Sequence, residues 1–340
     1  MMRVLKVLSA GPGLTVQDMG RTGYLAFGLS RGGAADRLAL AEGAALLGQP
    51  ATHAAIEMAG LGGTFRAETD LRIALTGAPM AATVEEGGSL RWNASHLLPK
   101  GAVLRVGAVQ AGAYGYLHLG GGVATPERLG GRSAHLTAGL GQRLQAGDQL
   151  PVGPDAGSAT HLSLEPAPRL SGGVLRMVPS LQTSLFGEAM LARFEATTFT
   201  RDSRANRMGV RLLPEGEGFA LDGGLSVLSE AIAPGDIQVT GDGAPYVLLS
   251  ECQTTGGYPR IGSVLPSDLP RVAQAQAGAR FRFEMVTLEA AVEIERRAAA
   301  ARAALTGQLR PLLRDPASVR DLLGYQLVSG VTAGRDLDED

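Results

Sequence analysis

The sequence has almost no cysteine and almost no lysine. Cys252 is the single cysteine of 340 residues, so no disulfide can close within the chain and a fold stapled by several bridges is excluded. Lys6 and Lys100 are the only lysines, leaving arginine to carry nearly all the positive charge, a bias read as base composition rather than function. Net charge is also small, −2, which gives the molecule no field with which to seek nucleic acid or an anionic membrane. Long apolar runs are missing: none approaches the ~20 residues that span a bilayer. At the N-terminus Lys6 splits Val4-Leu5 from Val7-Leu8, unlike the core of a secretory signal. The expected compartment is the cytoplasm.

Familiar catalytic motifs are absent as well. No G-x-x-x-x-G-K-[ST] loop occurs, no G-x-G-x-x-G follows a convincing strand, and no G-x-S-x-G elbow is present. His53, His96, His118, His135 and His161 are scattered without ligand spacing, so no metal site is expected.

What is plentiful is glycine. Forty-eight of them punctuate the chain and predict many short elements joined by tight turns. Alternation marks the elements as strands: Leu71, Ile73 and Leu75 share one face, Phe281, Phe283 and Met285 another, and Tyr114, Tyr116 and His118 a third. Three helices are expected: Ala34 to Leu47, stopped by Gly48; a short one opening at Ser267-Asp268-Leu269-Pro270, with a capping side chain ahead of a proline in the first turn; and an alanine-rich run from Leu288 to Leu305 with Glu289/Glu293 and Glu293/Arg297 at i,i+4, facing solvent or a partner. The Pro and Gly residues of Glu165-Pro166-Ala167-Pro168 and Gly172-Gly173 suggest a linker. The expected division is therefore 1–168, 169–287, and a helical appendage with an acidic tail over 288–340.

Two polar segments stand out. In Gln17-Asp18-Met19-Gly20-Arg21, Asp18 and Arg21 could clamp a small amide or carboxylate, or bond to each other. In Gln253-Thr254-Thr255-Gly256-Gly257-Tyr258, an amide, two hydroxyls and two glycines ahead of a tyrosine suit a polar loop. Backbone N–H groups of Gly256 and Gly257 could stabilise an oxyanion there, although Pro259 and the glycines would also suit a plain turn.

These segments, with Gly33-Ala34-Ala35-Asp36, Leu75-Thr76-Gly77-Ala78, Gly120-Gly121-Gly122, Leu129-Gly130-Gly131-Arg132-Ser133, Arg207-Met208-Gly209-Val210-Arg211-Leu212 and Gly235-Asp236-Ile237-Gln238, resemble the allophanate-hydrolase-subunit-2, or carboxyltransferase subdomain A and B, family in order and spacing over about residues 5 to 286. The stretch from Glu251 to Gly262 is most similar to the branch acting as C subunit of 5-oxoprolinase. Two departures are visible: Gly43 to Gln49 lacks the family's asparagines, and Val178-Pro179-Ser180-Leu181-Gln182 lacks its Gly-Pro pair.

The resemblance implies a mainly β fold of two tandem cyclophilin-like barrel subdomains with a few short helices. It implies ATP-coupled opening of 5-oxo-L-proline, with ATP and Mg2+ acting at the level of a complex that includes a B-type subunit of the allophanate hydrolase subunit 1 family and an A-type subunit. The isolated chain is expected to be inactive. Asp18, Arg21, Gln253 and Tyr258 are the catalytic candidates; Gln17, Asp36, Thr254, Thr255, Gly256, Gly257, Arg207 and Arg260 are the substrate-binding ones, with Arg21, Arg207 and Arg260 available to a transferring phosphate. The alternatives are the carboxyltransferase component of a biotin-dependent urea carboxylase, whose biotinyl carrier is absent here, and a non-enzymatic regulator that binds a kinase-inhibitor partner.

Overall fold

The computed structural model describes residues 3–221 and 227–312. The first half of the chain forms two sheets over one core. Strands Gln149–Val152, Arg3–Ala10, Gly63–Ala67, Val103–Val109, Met80–Val84 and Gly88–Ser89 lie side by side in that order. The second sheet begins Leu14–Gln17, Ala55–Ala59, Tyr114–Leu119, Leu71–Gly77 and Ala94–Leu98. Leu5, Val7, Phe65 and Leu104 from one sheet meet Ile56, Leu75 and Leu117 from the other, all shielded from water. Strand Leu71–Gly77 is buried on both faces, because helix α1 (Arg37–Leu47) covers the side that period-2 alternation would leave wet.

In the second half the strands close on themselves. Gly172–Val178, Arg260–Val264, Asp236–Val239, Pro245–Leu248, Gly209–Pro214, Phe199–Ala205 and Arg280–Met285 form a seven-stranded barrel, sealed by the parallel pairing of Gly172–Met177 with Arg280–Met285. Its core contains Phe194 and Phe199, in ring contact with each other and each with Phe219 and Phe283. Phe194 comes from α2 (Gly187–Ala196), a helix the sequence reading missed.

The expected mainly β fold with few helices is what the chain adopts. Among the described residues, no helix is long and apolar enough to cross a membrane. The first predicted helix begins at Arg37, with the Asp36 side chain accepting from the Ala39 N–H as its cap. Gln49, standing where the family pattern has asparagine, ties the far end to the glycine turn through Gly121 N–H and Leu119 C=O. Helix α3 (Leu269–Gln274) has Pro270 in its first turn, but Asp268 does not cap it; that carboxylate binds Arg176 instead. Helix α4 (Leu288–Ala303) is largely exposed, with Glu293 and Arg297 3.7 Å apart. Beyond it, Arg310–Pro311 pairs with Leu162–Ser163 on the edge of the second sheet, so the chain returns from the barrel to its first half. The acidic segment Asp336–Asp340 lies outside the described residues.

A buried polar seam joins the halves. Arg169, in the connection between them, bonds Asp36 at 2.6 Å and Glu42 at 2.6 and 2.8 Å. Gln274 donates to Asp36 from α3. The Asp36 N–H donates to the Tyr116 hydroxyl, which donates to Glu57; Glu57 binds Arg207, and Arg207 binds Glu251.

Candidate functional site

A cavity of about 610 Å³ opens on the outer wall of the barrel. Strand alternation builds its floor: Ile237, Val239 and Val247 point into the core, so Gln238, Tyr246 and Leu248 point out, with Gln238 directly opposite Tyr246 in the register. The turn around Ser203 to Gly209 forms one side. Cys252, Gln253 and Tyr258 form the other. This volume is within the roughly 300–1,000 Å³ usual for small-molecule sites.

Of the residues singled out from sequence, Gln253 and Tyr258 line this cavity, and both are exposed. Thr254 and Thr255 belong to the same segment without lining it. Gly256 is not an oxyanion donor. The Ile232 N–H donates to the Thr254 carbonyl, so the next hydrogen-bonded pair of that antiparallel ladder is Glu230 with Gly256, which turns the Gly256 N–H toward Glu230. Gly257 accepts from the Val227 N–H in the same extension. What Gly256 supplies is room: a Cβ there would lie 2.5 Å from Gln238 Nε2.

The other candidates are committed elsewhere. Gln17 is buried and donates to Thr15 and the Ala134 carbonyl. Asp18 accepts from the Gly20 and Arg132 N–H groups. Arg21 donates to the carbonyls of Arg128, Gly131 and Ser133 and to the Ser133 hydroxyl, and burial lowers its pKa. Together they fasten the loop at 128–133 rather than clamp a ligand. Arg21 does border a second cavity of about 350 Å³, with most of its N–H groups already spent. Asp36 and Arg207 belong to the seam described above. Arg260 is held by Glu230 and Asp236. Each of Arg21, Arg207 and Arg260 is thus bonded to acceptors of its own chain.

The cavity's described lining includes no carboxylate, imidazole or amine; its one charged group, Arg204, is paired with Asp202. Cys252 is no substitute. Burial, and then the charge of Asp236, push its thiol up to about 12, so the thiolate is scarce at neutral pH. We expect a thiol reagent at neutral pH to leave the native protein nearly unlabelled and to label one cysteine per chain in urea; rapid native labelling would contradict this burial. Sequence reasoning missed Gln238, Tyr246 and Asn206 as lining residues. The signal for Gln238 was available, a polar residue flanked by apolar Ile237 and Val239 on a strand.

The family model described as "Carboxyltransferase domain, subdomain A and B" matches residues 27–285. The chain belongs to this family. Family members similar to it include two proteins named as the C subunit of 5-oxoprolinase. The one from Haemophilus influenzae is 33% identical over 299 residues, 86% of this chain and 95% of that protein. The one from Escherichia coli is 34% identical over 298 residues, 85% of this chain and 94% of that protein. The crystal structure of the K. lactis urea amidolyase superposes with a TM-score of 0.79 at 23% identity, covering 93% of this chain and 21% of that one, which shows a shared fold.

Proposed function

We propose that this chain is the C subunit of an ATP-dependent 5-oxoprolinase, holding 5-oxo-L-proline in the barrel-wall cavity while partner subunits supply the rest of the chemistry. The makeup of that cavity carries the reading. It offers carboxamides and tyrosine hydroxyls that suit a small amide, and no carboxylate, imidazole or amine among its described lining residues to move a proton. Similarity along nearly the whole of two 5-oxoprolinase C subunits supports it.

Opening the lactam is uphill unless its carbonyl is activated, so turnover is coupled to ATP hydrolysis through phosphorylation of the amide oxygen. Positive charge must then surround the transferring phosphoryl group. Arg21, Arg207 and Arg260 are each bonded to acceptors of this chain, and in the scheme proposed here ATP, Mg2+ and the compensating cations belong to a B-type subunit of the allophanate hydrolase subunit 1 family and an A-type subunit. Biotin has no role in this scheme, and cytoplasmic metabolism is its setting.

The purified chain is expected to show no 5-oxoproline-dependent ATP hydrolysis, and the co-expressed subunits to show it. Ser203→Trp, which plugs the cavity from an exposed position, should lower turnover by the co-expressed complex at least about tenfold. Robust activity from the chain alone would refute this division of labour. Carboxybiotin-dependent carboxylation of urea without 5-oxoproline turnover would replace it with the urea carboxylase reading.

A further inference from the structure

We propose that Gln238 reads the amide edge of the ligand in this cavity, and that it selects amides held cis, as a lactam ring holds them. The inference rests on the cavity being the substrate site argued above. Gln238 is only 7% exposed, yet its Nε2 has no hydrogen-bond partner among the described residues. Leaving a buried amide donor unpaired is unfavourable, and native proteins contain few such groups. A ligand that brings an acceptor recovers that cost.

The surroundings define the acceptor. Gly256 packs closely against Nε2, since a Cβ there would come within 2.5 Å of it and 3.0 Å of Ile232, and Gln238 lines the cavity from this position. Ile232, Leu248 and Cys252 form a small apolar cluster beside it, and the Cys252 thiol stays protonated. A carboxylate placed there would lose its hydration without gaining a cation. A neutral carbonyl oxygen fits, leaving a carboxylate on the same ligand to lie toward solvent, on the side of the exposed Arg204, whose guanidinium also holds Asp202.

The carboxamide of glutamine also carries an acceptor, Oε1, beside its donor. A secondary amide held cis presents its C=O and N–H on one edge, so the two groups can pair through two hydrogen bonds. An open-chain trans amide shows only one of these on either edge. The recognised class is therefore a lactam, or a urea, which also displays C=O and N–H together.

The test uses the complete complex and reads kcat and KM for 5-oxoproline separately. Gln238→Glu keeps the shape and removes the donor; Gly256→Ala keeps the donor and displaces it. We expect KM to rise roughly 10–100-fold for Gln238→Glu with a much smaller change in kcat, and to move in the same direction for Gly256→Ala. Competitive inhibition by 2-pyrrolidinone should weaken in proportion, and N-methylacetamide, a trans amide, should inhibit poorly throughout. If Ser203→Trp abolishes turnover while Gln238→Glu folds normally and stays within about twofold in kcat/KM, the role of Gln238 is overturned and the site survives. A harmless Ser203→Trp overturns the site itself. Should Gln238→Glu fail to fold, Gly256→Ala decides: an unchanged KM and unchanged 2-pyrrolidinone inhibition would overturn the inference.

Discussion

Replacing Arg207 with methionine is expected to lower the stability of the chain by about 3–5 kcal/mol, read as a lower urea midpoint. The Arg207 side chain is 15% exposed and donates Nε to Glu251 at 2.5 Å, one terminal nitrogen to Glu57 and the other to the Gly33 carbonyl. Glu57 comes from strand Ala55–Ala59 of the first half and Glu251 follows the barrel strand Pro245–Leu248, so this one guanidinium fastens the two halves to each other. Burial works against its charge, but the two carboxylates outweigh burial and raise its pKa, keeping it ionised. Methionine would leave both carboxylates inside without a cation. Removing one partner of an exposed pair such as Glu293 and Arg297 costs only about 0.3–0.5 kcal/mol, so burial sets the size of the effect. The sequence suggested that Arg207 touches substrate. A raised KM at an unchanged urea midpoint would restore that role and remove the structural one.

Arg207 shows where sequence reading reaches its limit. The strands were legible because alternation is local: Phe281, Phe283 and Met285 announce their inner face without reference to anything else in the chain. Helix α1 was legible through Gly48 and the apolar spacing before it. Helix α2 also had a local signal, Phe186, Met190 and Phe194 at four-residue intervals, though Gly187 at its start resembles a break. The site divides differently. Gln253 and Tyr258 could be picked out because a run of polar and glycine residues makes a poor core strand, and both line the cavity. Asp18, Arg21, Asp36 and Arg260 look equally polar in sequence. Their partners, however, lie far away in the chain, Ser133 for Arg21 and Arg169 for Asp36, so spacing could not show that they were already occupied. Gln238 has the converse problem: what sets it apart is that its Nε2 has no partner among the described residues, and only the folded chain reveals that.

The second large effect is expected at Arg169, and its pH dependence distinguishes it from ordinary loss of packing. At about pH 7.5, Arg169→Met should cost about 3–5 kcal/mol, since it leaves Asp36 and Glu42 buried without a counter-ion. Burial already raises the pKa of Glu42, against the opposing charge of Arg169. Removing that charge raises it further above the ~4.3 of an unfolded glutamate. A carboxyl whose folded pKa exceeds its unfolded value binds more protons in the native state, so stability falls as pH rises through that window and returns as pH falls. The deficit relative to wild type should therefore be greatest near neutrality and smaller at about pH 5.5, measured by urea unfolding of both proteins at each pH. A deficit that is equal at both pH values would mean that water reaches Asp36 and Glu42 once the arginine is gone. In that event the seam would owe its strength to the packing of the Arg169 side chain and not to its charge.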